Sequence, residues 1–81
     1  MFYVYVLRSL TNNSLYVGMS KDVYERLKQH NRGTSKYTKS YMPWELIYIE
    51  GPFSTVQARK REKYLKSSSG KKFLRKNNLI D

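Results

Sequence analysis

Residues 2–30 read FYVYVLRSLTNNSLYVGMSKDVYERLKQH, and how this stretch folds governs how the rest of the chain can be arranged. Phe2 to Arg8 alternates well enough for a strand, Thr11-Asn12-Asn13-Ser14 supplies turn chemistry, and Leu15 to Met19 is strand-like again. The two runs are predicted to form a hairpin. Side chains alternate along a strand with period two, so an even loop of two or four residues puts Tyr5 and Tyr16 on one face. With four, Tyr5 stands opposite Gly18, whose missing side chain leaves a pocket between Tyr5 and its diagonal neighbour Tyr16.

Beyond the hairpin, Ser20 is placed to cap a helix and Asp22 favours its positive end. Val23, Leu27 and His30 recur at i, i+4 and i+7 before Gly33 ends it. Arg26 and His30 are four apart, one above the other beside the apolar stripe. A polar loop from Thr34 to Pro43 leads to a third strand, Trp44 to Glu50, which Gly51-Pro52 is predicted to break. Ser54 and Gln57 have the spacing of a capping box and open a helix from Thr55 to Ser67. Ser67-Ser68-Ser69-Gly70 looks like a short hinge, followed by a last basic helix from Lys71 to Leu79. The expected fold is α+β, a small three-stranded antiparallel sheet flanked by helices in the order β-β-α-β-α-α. No repeat or long linker divides the chain, so residues 1–81 are expected to form one domain.

Sixteen Lys and Arg stand against six acids, a formal net charge of +10. Such an excess raises the local concentration of any polyanion before a specific contact forms, which makes nucleic acid the leading partner. Diffuse binding to ribosomes or acidic lipid is the duller alternative. Eight Tyr, one Trp and three Phe interleave with the cations, a mixture suited to base stacking, although tyrosine also belongs in strands and part of this content serves the sheet. Cysteine is absent, so disulfides and thiolate sites are excluded and any bound metal must use oxygen or histidine ligands. The first residues are too polar for a signal peptide, and no apolar run approaches the roughly 18 residues that span a bilayer. The expected location is cytoplasmic.

One position in the second long helix is odd. Ala58, Glu62 and Leu65 have the spacing of a core-facing stripe, and its middle member is a carboxylate. A buried carboxylate is expensive unless paired or bound to metal. The bland explanation is a surface pair with Lys66 one turn on, worth about 0.2–0.5 kcal/mol. A lone histidine at a helix end usually satisfies a local hydrogen bond, and Tyr5, Tyr16 and Arg26 are each ordinary taken singly. Together, however, the five supply a proton acceptor, a cation for developing phosphorane charge and a carboxylate for a divalent ion, the parts needed to cleave a phosphodiester.

The blocks YVYVLRS (3–9), LYVGMSKDVYERLKQHNRG (15–33), TKSYMPWELIYIE (38–50) and ARKREKYLKS (58–67) resemble, in order and spacing, the GIY-YIG endonuclease superfamily. The likeness is to its small stand-alone bacterial branch, related to the N-terminal nuclease domain of an excision-repair protein, and covers nearly the whole chain. It implies a metal-dependent endonuclease hydrolysing DNA phosphodiester bonds, in DNA repair or recombination. By matching positions, Tyr5 closes the first motif, Tyr16 opens the second, Arg26 and His30 are the catalytic cation and histidine, and Glu62 is the metal-binding glutamate.

The resemblance further implies one Mg²⁺ or Mn²⁺ ion on Glu62. Tyr16 would receive the proton of the attacking water with His30 or metal-bound water helping, while Arg26 and Tyr5 position the phosphate. An unaided tyrosine has a pKa near 10, so this use of Tyr16 requires Arg26, metal or His30 to favour the phenolate or relay its proton. The first motif lacks the name-giving glycine. Met19 stands where some nucleases have lysine, with Lys21 two residues on, and Asn77 and Asn78 lie beyond the place of an asparagine that several members carry. The alternative function is a nucleic-acid-binding module that keeps the fold, cuts weakly or not at all, and acts with a protein partner or as a homodimer.

Overall fold

In the computed structural model, which describes all 81 residues, the central strand is β1 (Phe2–Ser9). It is covered on both faces, which is why its sequence is a nearly unbroken apolar and aromatic run. β2 (Leu15–Ser20) and β3 (Trp44–Phe53) flank it in an antiparallel three-stranded sheet of order β2-β1-β3. Ser9 N donates to Ser14 O at 2.8 Å, which closes the loop over residues 10–13, with Asn13 in the left-handed region at φ 63°. Tyr5 consequently pairs with Gly18 and Leu7 with Tyr16, the register expected for a four-residue loop.

The element order is the expected β-β-α-β-α-α with one short helix added. α1 spans Val23–Asn31, and its cap is Asp22 rather than Ser20: the Asp22 carboxylate accepts from Glu25 N at 3.1 Å. Ser20 acts one step earlier, its hydroxyl oxygen accepting from Asp22 N at 3.1 Å. Gly33, at φ +77°, ends the helix as expected. The predicted loop that follows contains a single helical turn, α2 (Lys36–Lys39).

Gly51-Pro52 does not break the third strand. β3 is an edge strand whose pairing with β1 is irregular here, shifting register between Val4–Glu50 and Phe2–Phe53, so proline is tolerated and the strand continues to Phe53. Gly51 holds φ +135°, and a Cβ there would lie 2.9 Å from the Phe2 carbonyl oxygen.

α3 (Thr55–Lys66) opens with the expected capping box, Gln57 N donating to Ser54 Oγ at 3.2 Å and Ser54 N to Gln57 Oε1 at 3.3 Å. The predicted hinge is instead a tight corner. Ser67 ends α3 and caps α4 (Ser68–Lys76), accepting from Gly70 N at 3.2 Å, so the last helix starts at Ser68 rather than Lys71. A Cβ on Gly70 would stand 2.5 Å from Leu65 Cα, so only glycine lets α4 pack so closely on the end of α3.

The sheet is sandwiched. On one face Val4, Val6 and Val17 pack against Ala58, Leu65 and Leu74 of α3 and α4. Leu65 and Leu74 are essentially fully buried, and truncating either to alanine should cost about 2–5 kcal/mol. On the other face Tyr5 and Leu7 pack with Val23 of α1 and with Trp44. No helix is long and apolar enough to cross a membrane.

Candidate active site

The α1 face of the sheet carries the polar chemistry. Tyr5 and Tyr16 share this face, as strand alternation requires, with ring centroids 6.3 Å apart. The Tyr5 ring lies over the bare backbone of Gly18: a Cβ there would come within 2.6 Å of the Tyr5 hydroxyl and 3.1 Å of the Tyr16 ring. The glycine is therefore what lets the two phenols occupy neighbouring space.

α1 delivers His30 to the same spot. The imidazole is fully buried, its Nε2 lies 3.1 Å from the Tyr5 hydroxyl, and its Nδ1 lies 2.9 Å from Thr38 Oγ1. The Tyr16 ring packs on it edge-on at 4.8 Å. Thr38 is equally buried and is itself located by Trp44, whose indole Nε1 donates to the Thr38 carbonyl at 2.8 Å. Asn31, at the end of α1, grips the Trp44 backbone in both directions, donating to its carbonyl at 3.0 Å and accepting from its N–H at 2.7 Å. One continuous chain of hydrogen bonds thus runs from the start of β3 through α2 and α1 to the phenol on β1.

Burial sets the protonation of this chain. Removal from water pushes the Tyr5 phenol up to about 12; the neighbouring Tyr16 adds to the rise, Arg26 opposes it, and the Glu62 charge adds a smaller upward push. Burial, and then the Arg26 cation, lowers His30 to about 4. Near neutral pH the pair is therefore a protonated phenol and a neutral imidazole. A neutral imidazole has one N–H and one lone pair, so of its two hydroxyl partners, Tyr5 at Nε2 and Thr38 at Nδ1, it donates to one and accepts from the other. Both ring nitrogens are occupied and the ring is out of solvent, so His30 can reach an attacking water only through the tyrosines that cover it.

Arg26 is half-buried and held by Gln29, Nη1 donating to Oε1 at 2.8 Å. Glu62 projects from α3, the layer on the other side of the sheet; its charge is felt at Tyr5, but it is not in the hydrogen-bonded chain. As its stripe position implied, it is partly buried, its side chain 26% exposed, and Lys66 Nζ lies 3.9 Å from Oε2. Three of the other acids are more firmly engaged. Glu45 is bound to Arg8 and Glu50 to Arg61, each with a contact of 2.9 Å, and Asp22 caps α1.

No group of three or more His, Cys, Asp or Glu forms a metal cage, and His30 has both nitrogens committed. Glu62 and Glu25 are loosely paired, each at 3.9 Å, and of the carboxylates only Glu62 has its charge felt at Tyr5. That donor fits a hard ion of the Mg²⁺ type, which is commonly held by one or two carboxylates and completes its shell with water and substrate phosphate.

The structure therefore brings Tyr5, Tyr16, Arg26 and His30 together and leaves Glu62 at the margin. It adds Thr38, which sequence reasoning missed; a threonine in a polar loop gives no signal. Asn77 and Asn78 have local duties instead. Asn77 Nδ2 donates to Phe73 O at 2.8 Å at the end of α4, and Asn78 takes φ 60°. Lys21 lies over the Phe2 ring at 5.6 Å.

A family model described as the GIY-YIG catalytic domain matches residues 1–78. UPF0213 proteins from Staphylococcus aureus strains Mu3, Mu50 and N315 are each 40% identical over 74 residues, covering 90% of this chain and 89% of the relative. Matched over nearly its whole length by that model and 40% identical to these relatives, this chain belongs to the GIY-YIG catalytic domain family.

Proposed function

We propose that this protein is a metal-dependent endonuclease that hydrolyses DNA phosphodiester bonds, acting in the cytoplasm in repair or recombination. The observation that carries this reading is the convergence of Tyr5, Tyr16, Arg26 and His30 on one sheet face of a chain with net charge +10.

The roles follow from exposure and protonation. Tyr16 is only half-buried, so its hydroxyl is the group that meets an incoming water and takes the proton as the water oxygen attacks phosphorus. Tyr16 must first give up its own proton, which passes to solvent. Arg26 faces the negative charge that grows on the phosphate oxygens. Tyr5 remains a neutral O–H donor throughout, because its phenol is pushed up to about 12. His30 does not activate water in this scheme: it fixes the Tyr5 hydroxyl at 3.1 Å, and Thr38 fixes His30. Glu62 would hold the divalent ion, Mg²⁺ or Mn²⁺, which when bound supplies positive charge to the phosphate.

A second reading rests on the Glu62 to Lys66 contact at 3.9 Å, which makes Glu62 a surface ion pair in a protein that binds nucleic acid, alone or with a partner, without cutting it. The deciding experiment is incubation of the purified protein with duplex, branched and single-stranded DNA in Mg²⁺ or Mn²⁺ and in chelator. Nicking with metal that is lost in chelator and in Tyr16→Phe is the expected result; stable binding with no cut product under any condition would select the second reading.

A further inference from the structure

We propose that the groove between β2 and α4 holds the nucleic-acid strand flanking the scissile phosphate, with Lys66, Lys71 and Arg75 on its backbone and Tyr37 under a base. This rests on the nuclease reading and adds where the substrate runs. The groove has a volume of about 640 Å³, begins at Tyr16, and is lined by those three cations and by no carboxylate side chain. It is thus continuous with the residue assigned to meet the attacking water. Lys71 and Arg75 are four apart on α4, so they share a side of the helix about 6 Å apart along its axis. Arg75 spends only its Nε, on the Asp81 carbonyl at 3.2 Å, and Lys66 reaches Glu62 only at 3.9 Å, so all three cations retain donors for phosphate.

Tyr37 supplies the aromatic member. It sits on α2, is 57% exposed, and its ring lies 6.1 Å from Tyr16 and 5.8 Å from Tyr41. Core packing does not require so open a ring, whereas a nucleobase next to the cut would cover it. A second copy of this chain is a poor occupant, because it brings the same charge of +10 to a cationic surface.

The test measures binding in chelator, so it does not depend on cleavage. Anisotropy of a fluorescein-labelled DNA oligonucleotide would be titrated with wild-type protein, with Lys71→Ala/Arg75→Ala, and with Lys28→Ala/Lys60→Ala, which removes equal charge from positions outside the groove. The groove variant is expected to bind about tenfold or more weakly, and to lower the slope of log affinity against log salt by about 1.4–1.8, while the control changes little. Tyr37→Ala should also lose about tenfold and Tyr37→Phe should not. Equal losses in the two double variants, or none in the groove variant, would overturn the groove while leaving the nuclease reading intact. Absence of binding by wild-type protein would overturn that reading itself. Full affinity in Tyr37→Ala would remove the stacking contact.

Discussion

Tyr5 and Gly18 face each other across the β1–β2 ladder so closely that a single methyl group on Gly18 would fall 2.6 Å from the Tyr5 hydroxyl. Tyr5 cannot swing aside freely, because it is buried and hydrogen-bonded to His30 at 3.1 Å. Gly18→Ala is therefore expected to destabilise by about 1–3 kcal/mol through overpacking, partly offset by the gain of about 0.5–1 kcal/mol that alanine brings over glycine in a strand. Cleavage should fall far more than the folded fraction. A folded variant cutting DNA at the wild-type rate would contradict the placement of Tyr5 in the site.

The hairpin and the shared face of its tyrosines were legible because turn chemistry and period-two alternation are local. Gly18 was legible through register alone. The Asp22 cap could not be chosen over Ser20, since both residues accept from backbone N–H groups two or three positions on and both do so here. Gly51-Pro52 and Gly70 carry breaker signals, yet each lies inside an element, the first because β3 is an edge and the second because α4 must approach Leu65. Thr38 was invisible because its place is set by the indole of Trp44 and by His30, two contacts that exist only after the sheet forms.

His30 gives stability a defined pH dependence. Its folded pKa, about 4, lies below the unfolded value of 6.5, so the unfolded chain binds more protons between them. The stabilisation from keeping this ring neutral is complete above about 6.5, declines as pH falls, and is gone below about 4. By pH 5 it should amount to a loss of about 2 kcal/mol. Urea unfolding between pH 7 and 5 should show that loss in the wild type and a flatter profile in His30→Asn. Parallel profiles for the two proteins would count against a buried neutral histidine.

Thr38 should act on the histidine rather than on substrate. Thr38→Val leaves a buried imidazole nitrogen without its partner, at a cost of about 1–3 kcal/mol, whereas Thr38→Ser keeps the hydroxyl. Cleavage is expected to drop about tenfold in Val, the low end of what general positioning contributes, and to survive in Ser. His30 is the chain's sole histidine, so its ¹⁵N resonances report the tautomer without assignment. Wild type and Ser should show the same tautomer, and Val should lose that preference. An unchanged tautomer in Val would reduce Thr38 to packing.

Glu62 separates enzyme from binder most sharply. Its contact with Lys66 is long and partly exposed, so losing the pair should change stability by no more than about 0.5 kcal/mol. If Glu62 is the ligand of a hard cation, Glu62→Gln keeps shape but removes the charge the ion needs, and cleavage in Mg²⁺ or Mn²⁺ should vanish. DNA affinity should hold or rise, since a negative charge near phosphate is gone. Glu50→Gln is the matching control: Glu50 is gripped by Arg61 at 2.9 and 3.1 Å and has no assigned part in the reaction, so its loss should lower stability by about 1 kcal/mol and leave cleavage proportional to the folded fraction. A Glu62→Gln protein that still cuts DNA in either metal would remove Glu62 from the site and the metal with it.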